Sequence, residues 1–155
     1  MSITIQGAGE LHQRAGSELG ASEWKTMTIE TIRTFADATG DHQWIHVDEA
    51  RAAKESPFGK AIAHGYLSLS LTAGAFFEVL DLQGFELVVN YGSNKVRFPA
   101  PLPVGSRYRV AFKLGSVKDL GGGWHECLFE TTVEIEGSAK PACAAEVLFR
   151  VKAPS

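Results

Sequence analysis

Hydrophobic positions between Thr28 and Gly40 recur with the period of a helix. They lie three and four positions apart, on one face: Ile29, Ile32, Phe35 and Ala36. Thr28 or Thr31 can cap the start of such a helix, and Gly40 is typical of its end. The pattern predicts an amphipathic helix that lays this face on the core and stops at Gly40.

Residues 65–80 predict a second helix of a different kind. Leu, Ser, Ala and Phe dominate the segment, so it is apolar nearly all round. A helix with that pattern is enclosed by the rest of the protein. The residues between the two helices, 41–60, follow no period and include Pro57 and Gly59. We expect a long loop there with one helical turn near 48–54, and a loop of this length is usually functional.

From Gly84 onward the hydrophobic period changes to two. Four segments alternate in this way and are rich in β-branched and aromatic residues: 87–98, 106–114, 124–135 and 143–151. Short turns rich in Gly and Pro separate these segments, which implies antiparallel pairing. The apolar helix at 65–80 is the obvious cover for one face of such a sheet. A shorter strand is expected within 20–28.

These elements predict a single α+β domain over residues 16–155, in which a long antiparallel sheet is wrapped around a central buried helix. A chain of 155 residues is one ordinary domain with enough side chains for a real core. Apolar residues make up 45% and charged residues 21%, as in soluble globular proteins. Residues 1–15 are poorly patterned, and we expect a flexible N-terminal arm there.

Charge and apolar runs exclude several classes of protein. The net charge is −3, from 15 basic and 18 acidic residues without a basic block, so no nucleic-acid partner is expected. The longest apolar stretch, 66–82, is interrupted by Ser68 and Glu78, and the N-terminus does not resemble a signal peptide. We therefore expect a cytoplasmic protein without a membrane span. Cys127 and Cys143 have no metal-binding spacing; two buried thiols are favoured, with a disulfide left open.

A carboxylate and an imidazole lie five positions apart just after the first predicted helix. Asp41 and His46 follow Gly40 in the run Gly-Asp-His-Gln-Trp-Ile-His. Such a pair can hold one water molecule and share acid and base work on it. Asp41 alone is also typical of a turn, and His46 alone of a structural histidine. His42 and His46 have the spacing of a zinc helix, but no clear third ligand accompanies them, so we expect no metal site.

Three segments, taken in order, carry a resemblance to a known family. The first runs from Gly40 to His46, with a small residue, Ala52, six positions further on. The second is Ile62–Gly65, and the third is Val96–Phe98 followed by the turn Pro103–Gly105. Together they resemble the signature of MaoC-like dehydratases, the family of (R)-specific enoyl-CoA hydratases, which has NodN-like relatives.

The resemblance implies the hotdog fold and the reversible addition of water to trans-2-enoyl-CoA, which gives (R)-3-hydroxyacyl-CoA. In the implied roles, Asp41 and His46 activate the water, and the backbone N–H of Gly65 meets the developing oxyanion. No metal and no cofactor are implied beyond the coenzyme A of the acyl-CoA substrate. Proteins of this fold pair their sheets edge to edge with the ligand tunnel at the interface, so we expect a homodimer. Gln43-Trp44 stands where the family usually has Asn-Pro.

Four further residues are candidate substrate contacts: His64, Tyr66, Trp44 and Arg97. Each has a second interpretation. His64 can instead brace the loop through its ring nitrogens, and Tyr66 can belong to the core. Trp44 can shape either the loop or the pocket entrance. Arg97 can be a solvated strand residue or can contact the phosphates of coenzyme A.

Two other functions fit the same fold. A hotdog thioesterase usually has an Asp or Glu on or near the central helix, and here only Glu78 lies there, far from Gly65. A non-catalytic subunit that stabilises an active partner would have no reason to keep Asp41, His46 and Gly65 together. Because the fold alone does not separate these functions, the hydratase prediction rests on the site.

Overall fold

A computed structural model describes residues 2–155 of the chain. The helices are α1 (Gly7–Gln13), α2 (Ile29–Thr39), α3 (Trp44–Val47), α4 (Glu49–Glu55) and α5 (Gly65–Val79). The strands are β1 (Ile3–Gln6), β2 (Glu18–Ala21), β3 (Lys25–Thr26), β4 (Leu80–Gln83), β5 (Leu87–Arg97), β6 (Arg107–Gly121), β7 (Trp124–Ile135) and β8 (Cys143–Lys152). Helix α5 is the apolar helix predicted from the sequence, and β5 to β8 are the four predicted strands.

The main sheet has six strands, in the order β2, β6, β7, β8 and β5, with β3 also pairing with β6. Every pairing within it is antiparallel. Strands β6, β7 and β8 are neighbours, as the short turns between them predict. Strand β5 differs, because it lies at the far edge beside β8 and not next to β6. The Pro-rich segment after β5 therefore crosses the domain instead of closing a hairpin.

Helix α5 packs on the sheet through aromatic side chains. Phe76 stacks on Phe149 of β8, with ring centroids 4.2 Å apart, and meets the rings of Phe112 and Phe129 edge to face. Alternate residues of β7 and β8 are buried on the face that α5 covers. This arrangement confirms the predicted α+β architecture, a long antiparallel sheet around a central helix.

One face of α5 is exposed, although the apolar pattern predicted a helix enclosed on all sides. Tyr66 is 74% exposed and Phe77 is 63% exposed. The edge strand β5 also exposes large apolar side chains: Leu87, Val89 and Tyr91. These β5 side chains lie beside Arg150, on the face of the sheet away from α5. Exposed apolar side chains such as those of α5 often mark an interaction site.

The N-terminal segment, expected to be a flexible arm over residues 1–15, contains a strand and a helix instead. Strand β1 pairs in parallel with β4, with Ile5 opposite Leu82. Ile5 and Leu11 are 0% exposed and belong to the core. The local pattern is weak because these two apolar residues stand among polar ones. Their burial depends on β4 and β6, which follow much later in the chain.

Helix α2 begins and ends where the sequence predicts. The N–H of Thr31 donates to Oγ1 of the cap residue Thr28 at 3.2 Å. Gly40 ends the helix with a left-handed φ of 82°, a conformation that glycine adopts without a steric penalty. The turn places Asp41 directly at the end of α2.

The loop at 41–60 holds two short helices where one helical turn was expected. Helix α3 carries His46, and α4 starts at Asp48, whose side chain accepts from the N–H of Arg51 at 3.0 Å. The N–H of Ile62 then donates to the carbonyl of Ile45 at 3.0 Å. This loop is compact because its polar groups are bonded locally, and it holds His46 beside the start of α5.

Both cysteines are reduced and buried, as the favoured interpretation predicted. Burial raises the pKa of Cys127 to about 12 and that of Cys143 to about 11. Both side chains are therefore neutral thiols near pH 7. Separately, no helix within residues 2–155 is both long enough and apolar enough to cross a membrane.

Candidate active site

His46 is a buried histidine with one ring nitrogen committed to the backbone. Its side chain lies on α3 and is 7% exposed. The Nδ1–H group donates to the carbonyl oxygen of Ile62 at 2.7 Å. Because a carbonyl can only accept, this bond fixes the proton on Nδ1 and leaves Nε2 with a free lone pair. His46 is therefore held in one tautomer, as a general base must be.

Asp41 lies close to His46, as the sequence predicts. Its Oδ1 accepts from the N–H of Gln43 at 3.3 Å, which closes a turn just after α2. One carboxylate oxygen of Asp41 and one ring nitrogen each of His46 and His64 lie within 4.8 Å of one another. Asp41 is exposed, whereas both histidines are buried. The fold thus brings the predicted pair together and adds His64 to it.

His64 connects the two predicted catalytic residues. Its Nε2–H donates to the backbone carbonyl of Asp41 at 2.9 Å. Its ring stacks on that of His46, with centroids 3.9 Å apart and planes 24° from parallel. Its Nδ1 is buried and has no hydrogen-bond partner within the described residues. Of the two roles considered for His64, the bracing one is visible in these contacts, whereas its contact with substrate stays a prediction.

The surroundings of His46 favour its neutral form. Burial lowers its pKa below that of an ordinary histidine; the bond to Ile62 opposes this shift, the charge of His64 adds to it, and Asp41 opposes it. Because the lowering effects dominate, the ring is neutral near pH 7. A neutral, buried imidazole with a free lone pair can take a proton from water.

The Asp41, His46 and His64 cluster has the donor atoms of a metal site but not the directions. A metal ion needs ligand lone pairs that converge on one point. The lone pairs of an imidazole lie in the plane of its ring, and the two rings are stacked only 24° from parallel. Their lone pairs therefore lie in two separate, nearly parallel planes and do not readily converge on one ion. This geometry suits a hydrogen-bonded water better than a metal ion.

Gly65 is the first residue of α5, directly after His64. The N–H groups of a first turn have no partner within the helix, and they carry the positive end of its dipole. A Cβ built on Gly65 would lie 2.9 Å from two ring carbons of Phe98. Any larger residue at this position would require the ring of Phe98 to move.

A cavity of about 350 Å³ joins His46 to Gly65. Its walls are mostly apolar and include Phe58, Ile62, Ser68, Phe98 and Leu102. Ser68 lies one helical turn after Gly65, and its side chain makes no bond like those of Ser70 to Tyr66 or Thr72 to Leu69. A base, an N–H donor and a hydroxyl therefore line one open, mostly apolar pocket.

The other candidate contacts lie outside the walls of this cavity. Trp44 packs its ring against the guanidinium of Arg51, 4.2 Å away. Tyr66 lies on the exposed face of α5, and Arg97 is exposed with Nη1 donating to the carbonyl of Val96 at 2.8 Å. Within a single chain, Trp44 thus packs against another residue of the loop. Contacts of Trp44, Tyr66 and Arg97 with the substrate stay predictions.

Sequence reasoning missed the aromatic residues of the cavity, Phe58 and Phe98. Phe58 lies in the loop at 41–60, which follows no period, and Phe98 ends the alternating segment 87–98 just before a Pro-containing connection. The sequence did offer one signal for Phe98, because it ends the Val-Arg-Phe segment of the family resemblance. Its contact with Gly65 is visible only in the fold.

Comparisons with known proteins agree with this geometry. A family model described as MaoC like domain matches residues 10–134. The 3-hydroxyacyl-thioester dehydratase Z of Mycobacterium tuberculosis (strain ATCC 25618 / H37Rv) is 52% identical, over 95% of this chain and 97% of its own. Nodulation protein N of Rhizobium leguminosarum bv. viciae is 45% identical, over 88% and 85%. The monoamine oxidase regulatory protein of Archaeoglobus fulgidus superposes with a TM-score of 0.81 at 21% identity, covering 100% and 99%. These comparisons confirm the predicted family resemblance and fold.

Proposed function

This chain belongs to the MaoC-like dehydratase family, whose chemistry is that of a hydro-lyase, and we propose that it is an (R)-specific enoyl-CoA hydratase. It would interconvert trans-2-enoyl-CoA and (R)-3-hydroxyacyl-CoA. One observation carries the proposal: buried His46, which keeps one ring nitrogen free, lies within 4.8 Å of an Asp41 carboxylate oxygen and lines a cavity together with Gly65 at the start of α5. Asp41 itself lies outside the cavity walls. The dehydratase named for 3-hydroxyacyl thioesters, 52% identical to this chain, supports the substrate class.

The reaction begins with a water molecule held between Asp41 and His46. An O–H bond of the water breaks as its proton moves to the acid–base pair, and its oxygen bonds to the β-carbon of the substrate. The electrons of the C=C bond move towards the α-carbon and the thioester oxygen. The proton then returns to the α-carbon, so that atoms and charge balance. Dehydration follows the same path in reverse.

The negative charge that develops on the thioester oxygen needs a donor. In this proposal the N–H of Gly65 meets that oxygen, and the dipole of α5 adds a partial positive charge. Glycine matters because the substrate must approach the backbone closely. The apolar walls strengthen these interactions by excluding water.

The proposed substrate is an acyl-CoA, and no cofactor is required because water is the second reactant. The same chemistry would proceed on acyl carrier protein thioesters, so the assay below includes both carriers. We propose that the protein works in the cytoplasm. The thioesterase alternative is weaker, because Glu78 forms an ion pair with Lys25 near the other end of α5 from Gly65.

We expect purified protein to hydrate crotonyl-CoA or a longer 2-enoyl-CoA, with loss of absorbance of the conjugated thioester. The product would be oxidised by an (R)-specific dehydrogenase and not by an (S)-specific one. Hydration that gives the (S)-alcohol would contradict the proposed stereochemistry. Release of free thiol would favour the thioesterase. A folded protein that hydrates neither CoA nor acyl carrier protein thioesters would favour the non-catalytic subunit.

We also propose a homodimer, and the exposed apolar residues support it. Tyr66 and Phe77 on α5, with Leu87, Val89 and Tyr91 on β5, present large apolar side chains to solvent. Strand β5 is an edge of the main sheet, so its unpaired backbone groups are free to pair with another chain. A second copy paired with β5 would extend the sheet, and in this proposal it covers Tyr66 and Phe77. Leu87, Val89 and Tyr91 lie beside Arg150 on the other face of the sheet, so they support only the edge pairing.

Replacing Phe77 by Asp is expected to convert a dimer to monomers, because burying an unpaired carboxylate in an apolar interface is costly. Sedimentation velocity of wild type and variant measures this change. Ala50→Asp is the matched control, since it adds the same charge to an exposed position of α4. A monomeric wild type, or a dimer that tolerates Phe77→Asp, would show that this face is not the interface.

A further inference from the structure

The side chain of His64 makes its hydrogen bond and its ring stacking with Asp41 and His46, the two proposed catalytic residues. The one hydrogen bond of its side chain, from Nε2–H, goes to the carbonyl of Asp41 at 2.9 Å. One face of its ring stacks on His46 with centroids 3.9 Å apart, and Phe35 lies against the ring with centroids 5.0 Å apart. With 2% exposure and an unpartnered Nδ1, His64 has no other polar anchor within the described residues.

His64 is also the N-cap residue of α5, immediately before Gly65. Its side chain makes no capping bond to the helix, so it does not serve the helix as Ser, Thr or Asp would. Its backbone carbonyl accepts the N–H of Ser68 at 3.1 Å, which ties it to the first turn. His64 is therefore joined covalently to the oxyanion donor and non-covalently to both members of the acid–base pair.

We propose that His64 is a positioning residue that holds Asp41 and His46 at a set distance from the N–H of Gly65. The inference rests on the proposed hydratase function. Water attack and oxyanion stabilisation occur at opposite ends of one short substrate segment, so both must fit a single pose. Small misplacements of catalytic groups are costly for rate. His64 acts through its two neighbours and makes no contact with substrate.

Two variants separate the contacts of His64. His64→Phe keeps a ring to stack on His46 but loses the donor to Asp41. His64→Gln keeps an N–H donor in the position of Nε2 but loses the ring. Each is expected to lower kcat at least tenfold with KM within about threefold of wild type. His125→Phe is the matched control, because it removes a buried histidine bonded to His12, and it should keep kcat within twofold.

A second measurement, the NMR titration of His46, tests the interaction between His64 and His46 without substrate. The titratable groups that act on His46 are Asp41 and His64. Removing His64 removes an effect that lowers the pKa of His46, so its NMR titration should move to higher pH in both His64 variants. The acid limb of the rate profile should move in the same direction, because His46 must be neutral to act as base. His125→Phe should leave both unchanged.

The two measurements keep this inference separate from the hydratase proposal. If wild type hydrates enoyl thioesters and folded His64 variants keep both kcat and the His46 titration, His64 is not a positioning residue. A rise in KM at constant kcat would make it a substrate contact instead. If wild type shows no hydration, the function fails, while the His46 titration still reports the coupling. Thermal denaturation identifies which of the two His64 variants is folded, and the kcat and the His46 titration are compared only for folded variants.

Discussion

His46→Asn is expected to lower the rate of enoyl-CoA hydration by about 10²–10⁴-fold, the usual contribution of a positioned general acid or base. In the wild type, Nδ1 of His46 donates to the carbonyl of Ile62 at 2.7 Å. The amide nitrogen of Asn can take the place of Nδ1 and keep this hydrogen bond. What it cannot supply is the free lone pair of Nε2. A lower rate in this variant would therefore reflect the loss of the general base, and not a disordered loop.

Asp41→Asn is expected to cause a loss of similar size. Its Oδ1 can still accept from the N–H of Gln43, so the turn after Gly40 is kept. The negative charge beside the water is lost. Steady-state rates with crotonyl-CoA measure both variants, and circular dichroism shows that the fold is retained.

Matched controls for these two variants lie close by in the chain. His42 is exposed and pairs with Asp37 at 2.8 Å, outside the cavity walls. His42→Asn and Asp37→Asn should keep rates within about twofold of wild type, since neither side chain belongs to the cluster of Asp41, His46 and His64. If His46→Asn were no slower than His42→Asn, His46 could not be the base, and the proposed mechanism would fall.

Gly65→Ala is the second change with a large expected effect. The new methyl carbon would lie 2.9 Å from the ring of Phe98, closer than carbon atoms normally approach. Overpacking of this kind costs about 1–3 kcal/mol of folding free energy. In the proposed mechanism, we also expect the methyl group to hinder the approach of the thioester oxygen to the N–H of residue 65. Loss of one oxyanion donor lowers kcat by about 10²–10³-fold.

A double variant separates these two consequences. Phe98→Leu in the Gly65→Ala background makes room for the methyl group, so the melting temperature should recover. The rate should stay low, because access to the N–H is still blocked. Gly74→Ala is the control within the same helix, since no described atom lies within 4 Å of its added Cβ. Recovery of both stability and rate in the double variant would refute the oxyanion role of Gly65.

Local patterns were sufficient for much of the secondary structure. Helix α2 has its apolar face, its Thr28 cap and its Gly40 stop within one short segment, so neighbours in sequence decide its limits. Strand β7 has the bounds predicted from alternation, because one of its faces is buried and the other is not. In contrast, β5 pairs with β8 and β1 pairs with β4. These strands are far apart in the sequence, and no local pattern in either strand indicates which other strand it pairs with.

The candidate site divides in the same way. Asp41, His46 and Gly65 were predicted as residues from their motifs, because the chemistry requires those side chains in that order. The motifs also named His64 but left its role open. Its bond to the Asp41 carbonyl and its stack on His46 join residues from three elements. No local pattern encodes such contacts.

By itself, the sequence determined the family, the order of helices α2 and α5 and of the four long strands, and the residues able to perform acid–base chemistry on water. These properties depend on side-chain type and on spacing over a few turns of chain. The tertiary structure alone decided the far-edge place of β5, the burial of the N-terminal segment and the closure of Phe98 over Gly65. It also decided which ring nitrogen of His46 stays free, because the carbonyl of Ile62 binds the other one. Packing between distant segments sets these features, and it is resolved only when the whole core assembles.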